Sequence, residues 1–79
     1  MVSPENGYII SMKIFTERLR ELRVDKKLMQ RELAEMIGVP VRTYGNWEIG
    51  ASEPPMDMIV KLAKFFNVTT DYLLGMTEY

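Results

Sequence analysis

Apolar residues recur at intervals of three and four along most of this chain, the spacing of amphipathic helices with one buried face. Phe15, Leu19 and Leu22 predict a helix over residues 13–26, with Glu17, Arg18, Glu21 and Asp25 on its polar side. Leu33, Ala34 and Ile37 predict a second over 30–37, and Tyr44 and Trp47, with Val41, a third over 41–48. Ile59, Leu62, Ala63 and Phe66 mark a fourth over 56–66. A short fifth helix over 70–74 starts at Thr69, whose hydroxyl can cap it, and carries Asp71 in its first turn. Tyr72, Leu73 and Leu74 would close the core, and Gly75 ends the element. The expectation is an all-α, compact five-helix domain over residues 13–75, followed by a tail over 76–79. Residues 1–12 contain Pro4 and Gly7, show no helical period, and read as a flexible N-terminal arm. Met12 is a second place at which the chain can start. The segment before it is then either an upstream extension or an arm that touches DNA or a partner through Tyr8 and Ile9.

The residues between these helices carry their own information. Gly38 can take a positive φ, Val39 is an apolar turn residue, and Pro40 presets the start of the third helix. A helix, a Gly-containing turn and a second helix are the supersecondary signature of a DNA-binding helix-turn-helix. Lys27 stands where a helix C-cap usually has Gly or Asn, so a left-handed lysine is expected there. At the start of the second helix Glu32 occupies the acidic position of a capping box, but Met29 has no side-chain oxygen to complete it. Gly50 and Pro54-Pro55 separate the third helix from the fourth. Met56, Met58 and Met76 read as gap-fillers or surface residues.

Composition narrows the function. With 79 residues the chain supports one domain. It has no cysteine and no histidine, hence no disulfide, no thiolate nucleophile and none of the commonest general bases or metal ligands. An enzyme is not expected, and neither is a cofactor or a metal. The acid pair Glu32 and Glu35 lies on the polar side of a helix, where such pairs are solvated. The apolar run Met58–Leu62 is broken by Lys61 and is too short to span a bilayer, and no signal-peptide pattern opens the chain, so a cytoplasmic location is expected. The formal net charge is −1, yet it is unevenly spread. Residues 13–31 hold seven basic against three acidic residues, a local charge of +4; residues 32–79 hold three against seven, a local charge of −4. A basic third can draw phosphate while the acidic remainder stays solvated. Ion pairing along a solvated helix is the plainer explanation of the same charges.

If Tyr44 and Trp47 face the core, the third helix turns Val41, Arg42, Thr43 and Asn46 toward its other faces. Arg42 can pair in bidentate fashion with guanine and Asn46 with adenine, while Val41 or the Thr43 methyl can meet a thymine methyl. Plain solvent exposure of Arg42 and Asn46 is the alternative. Gly45 lies among them and costs about 1 kcal/mol relative to Ala inside a helix, a cost that close approach to DNA or to a neighbouring helix would explain. Gln30 and Arg31 stand at the open N-terminus of the second helix, a natural phosphate site, with Lys27 just before it.

From Phe15 to Gly75 the chain resembles the phage-repressor/Cro-type helix-turn-helix family, also called the xenobiotic-response-element family of bacterial regulators. The matching segments are FTERLRELR, QRELAEMIGV, NWEIG and the run from Pro54-Pro55 through MIVKLAKFFNVTTDYLLG. The resemblance implies that Gln30 contacts phosphate, that Val41, Arg42 and Asn46 approach base edges with Thr43 nearby, and that Arg23 forms a structural ion pair with Glu48. It departs from the family pattern at Met29, Pro40 and Pro55, where Ser or Thr caps are usual, at Gly45, and in the stretch 49–53, which lacks Lys or Arg and carries Glu53. Two functions are consistent with these features. One is a homodimeric transcriptional regulator, a repressor, on a palindromic operator with half-sites about 10 bp apart. The other keeps the scaffold as a protein-interaction module, including antitoxin-type partner binding, with the acidic half and its methionines docking the partner.

Overall fold

The computed structural model describes residues 4–78 and contains five helices in the predicted order: α1 Pro4–Asp25, α2 Gln30–Ile37, α3 Val41–Ile49, α4 Met56–Phe66 and α5 Thr70–Leu73. The first of these differs from the sequence expectation. Helix α1 begins at Pro4, so the backbone of residues 4–12 is helical where a flexible arm was expected. Proline is a helix breaker in the interior but a favourable first residue, with its φ preset and no N–H to leave unpaired. Gly7 weakens a helix without ending it. Residues 1–3 and the contacts expected of Tyr8 and Ile9 lie outside what is described. At the other helices the boundaries shift by a residue: α3 runs on to Ile49, and α5 ends at Leu73 with Leu74 as its cap.

The predicted apolar faces meet in one core. Phe15 and Leu19 of α1, Leu33, Ala34 and Ile37 of α2, Tyr44 and Trp47 of α3, Leu62, Ala63 and Phe66 of α4, and Leu73 of α5 are all buried. Helix α1 packs against both α3 and α5, α2 against α3, and α4 against α5, so α1 spans the two pairs. The Tyr44 and Trp47 rings stand edge to face with centroids 6.2 Å apart, a favoured aromatic geometry.

A left-handed residue follows each helix, directly after α2, α3 and α4, and one residue further on after α1 and α5, where Lys26 and the right-handed cap Leu74 intervene. Lys27 has φ 59° and Asn67 φ 57°, and glycines serve after α2, α3 and α5. At Lys27 the Leu28 N–H reaches back to the Arg23 carbonyl (3.2 Å) and the Lys27 N–H to that of Val24 (2.8 Å), the paired bonds of a Schellman cap. Helix α2 starts without a side-chain cap, as the absence of an oxygen on Met29 requires; the Glu32 carboxylate nevertheless accepts the Met29 N–H at 2.8 Å, half of a capping box.

One long-range clasp had no counterpart in the sequence reading. The Arg18 Nη1 donates to the carbonyls of Tyr72 and of Thr77 (2.6 Å to the latter), and its guanidinium lies 4.1 Å from the centre of the Tyr72 ring. Charge-assisted hydrogen bonds and a cation–π contact thus tie α5 and the segment after it to α1. Among the described residues no helix is long and apolar enough to cross a membrane.

Candidate nucleic-acid interface

Helices α2 and α3 meet across the turn Gly38–Pro40, and their relative position depends on a buried carboxylate. Glu48, at the last turn of α3, is 8% exposed. Its Oε2 accepts the Arg23 Nε at 2.5 Å and its Oε1 accepts Arg23 Nη2 at 3.2 Å. The Tyr44 hydroxyl, one turn earlier on α3, donates to Oε2, and Gln30 Nε2, from the first residue of α2, donates to Oε1 at 3.1 Å. Arg23 closes the arrangement by donating Nη1 to the Leu28 carbonyl at 2.7 Å. Three helices and the α1–α2 connection therefore share one anion.

This anion is stable because its donors are complete. Burial alone would raise the Glu48 pKa, but the hydrogen bonds from Arg23, Tyr44 and Gln30 outweigh it and hold the carboxyl below its ordinary value. The hydrogen bond to Glu48 raises the Arg23 pKa further. Burial, and then the proximity of the carboxylate, push the Tyr44 phenol up, so it stays a donor. Among the described residues no buried side-chain polar atom lacks a partner. A buried ion pair with satisfied lone pairs adds modestly to stability, and this one joins α1, α2 and α3 through a single carboxylate.

With Tyr44, Trp47 and Glu48 turned inward, the outer side of α3 is defined. Arg42 is exposed, and Thr43 and Asn46 are half-buried. Val41 is also half-buried and packs against the core, so only part of its side chain faces outward. Arg31, on the first turn of α2, and Lys27, in the connection before it, are exposed. Gln30 is half-buried, and its amide nitrogen is directed at Glu48 rather than away from the protein.

Of these placements, the involvement of Tyr44 and Gln30 was absent from the sequence reading. Tyr44 and Glu48 stand at i and i+4 on one helix, a spacing that brings side chains together, so their bond was available as a signal. Gln30 and Glu48 are joined only by the packing of α2 on α3. Gly45 lies at the same packing, where a Cβ would make an ordinary contact with the Gln30 Oε1 at 3.4 Å, so the space there does not require a glycine.

A helix-turn-helix family model matches residues 19–73 of the chain. The HTH-type transcriptional regulator YobD of Bacillus subtilis is 42% identical over 65 residues, covering 82% of this chain and 58% of that protein. The cryptic phage CTXphi transcriptional repressor RstR of Vibrio cholerae is 38% identical over 65 residues, covering 82% and 59%. The HTH-type transcriptional activator BcrR of Enterococcus faecalis is 41% identical over 64 residues, covering 81% and 31%. The chain thus spans less than two thirds of the length of these relatives. No solved structure matches it. The match over α2, the turn and α3, together with relatives similar across four fifths of the chain, shows that this protein belongs to the helix-turn-helix family.

Proposed function

We propose that the protein is a sequence-specific DNA-binding transcriptional regulator, a repressor, that reads the major groove with α3 as a homodimer on an inverted repeat. The observation that carries this reading is the fixed presentation of α3. Its inner side is held by Tyr44, Trp47 and the Glu48 cluster, and Arg42, Thr43 and Asn46 are left on the outside. A helix anchored in this way offers base-edge partners at small entropic cost: Arg42 for guanine, Asn46 for adenine, and the Thr43 methyl and the outward part of Val41 for a thymine methyl. Arg31 and Lys27 supply phosphate contacts at and just before the N-terminal end of α2, where the helix dipole also favours an anion. The naming of relatives as transcriptional regulators and repressors supports the same reading. One α3 touches only a few base pairs, so two copies on half-sites about one helical turn apart give the specificity that a regulator needs.

Selection from a random duplex library, performed at low and at physiological salt, tests this. The expected result is an enriched inverted repeat, with affinity that falls as salt rises because Arg31, Arg42 and Lys27 displace counterions. Recovery of no motif, with weak binding that disappears in salt, would favour the protein-interaction use of the scaffold.

A further inference from the structure

We infer that a second copy of this chain docks on an apolar groove between α1, the α3–α4 connection and the segment after α5. The inference rests on the homodimer reading above and names the surface it uses. Met12, Phe15, Pro54, Ile59, Leu74 and Met76 line the groove, which holds about 230 Å³. That is less than the roughly 300–1,000 Å³ of a small-molecule pocket, and it suits an inserted side chain. None of the residues assigned to DNA lines it, so a copy seated there leaves the outer side of α3 uncovered. One wall is held from behind: Arg18 donates to the carbonyls of Tyr72 and Thr77, on either side of Leu74 and Met76. Gly75, with φ 81°, brings this segment so near α1 that a Cβ would lie 3.0 Å from Ile14. The groove is thus preformed, and docking on it orders little chain. Its rim is exposed and apolar. Met76 is 69% exposed, and Met56, three residues before Ile59 on α4, is 70% exposed. Apolar surface gathered in this way marks an interaction site, and flexible methionines adapt to the surface they meet. Charge points to a second copy as the occupant. The net charge of −1 is too small to hold copies apart. Lys13 and Glu53 are exposed in a depression that adjoins the groove through Met12 and Glu53, and among the described residues neither has an ion-pair partner. A two-fold contact sets a surface against itself, so each unlike pair of neighbours can form twice. Lys13 of each copy then meets the other copy's Glu53.

Sedimentation equilibrium of the full chain without DNA is measured for the wild type, Met76→Gln, Lys13→Glu, Glu53→Lys and an equal mixture of the last two. Binding to the selected inverted repeat and to its isolated half-site is measured alongside. The expected result is a monomer–dimer equilibrium in the wild type and association about tenfold weaker in Met76→Gln, which carries an amide into an apolar groove at both symmetric places. Each charge variant alone weakens association, because like charges meet. Their mixture restores it, because every contact then joins opposite charges. Met76→Gln loses the advantage of the repeat over the half-site and keeps the half-site affinity of the wild type. Unchanged association in Met76→Gln and both charge variants, or no recovery on mixing, would overturn the inference while leaving the DNA reading intact. A wild type that is monomeric in solution and gains nothing from the repeat would overturn both the inference and the homodimer. A dimer that these variants disrupt, in a protein that selects no motif, would uphold the interface and remove the DNA reading. Should Met76→Gln fail to fold, the mixture decides alone.

Discussion

Glu48 shows how much one side chain can hold. Its carboxylate receives Arg23 from α1, Gln30 from α2 and Tyr44 from its own helix, and removing it leaves all three donors facing a gap. Glu48→Ala is expected to destabilise the domain by about 3 kcal/mol, mainly through the stranded Arg23 charge. Thermal unfolding followed by circular dichroism reads this directly; a melting temperature unchanged within a few degrees would show that the pair is energetically idle. Arg42 is the opposite kind of residue, exposed and outside the core. Arg42→Ala should leave the melting temperature alone and cost about 1–3 kcal/mol on the cognate operator, with relaxed preference at one base pair. An equal loss on every sequence would instead assign Arg42 to the phosphates.

At the scale of elements, the helix ends were more legible than the helix starts. Each C-terminal stop follows from a residue able to take positive φ, and even the unusual Lys27 is left-handed. Starts are weaker because proline has two meanings. Pro4 was taken as a break, whereas it is the first residue of α1. The start of α2 shows a deficiency that can be repaired. Glu32 already accepts the Met29 N–H, so Met29→Ser would supply the missing oxygen and complete the capping box. A gain of about 1 kcal/mol is expected, seen as a higher urea midpoint with unchanged slope. A lower midpoint would mean that the Met29 side chain, although largely exposed, contributes more by packing than a cap returns.

For the whole molecule, the Glu48 cluster couples stability to pH. Its folded-state pKa is depressed below the ordinary 4.5, so its contribution is fully present above that value and is lost as pH falls through the folded-state value. Urea midpoints should therefore be flat from neutral pH down to about 5 and decline below it, and Glu48→Gln should decline less. Equal acid sensitivity in the two proteins would place the responsible carboxylate elsewhere. The clasp of Arg18 on Tyr72 and Thr77 acts on this scale too, joining the two ends of the fold across more than fifty residues.

Helix number, order, buried faces and stops came from the sequence alone, because each depends on local periodicity or on the backbone preference of one residue. The family resemblance added the Arg23 and Glu48 partnership. Tertiary structure alone decided that Gln30 donates to Glu48, that Tyr44 is a hydrogen-bond donor as well as core, and that Arg18 fastens α5. The reason is physical. Local spacing places a side chain on a face of its own helix, but which polar groups then meet depends on the angle and distance at which two helices pack, and no single helix encodes that.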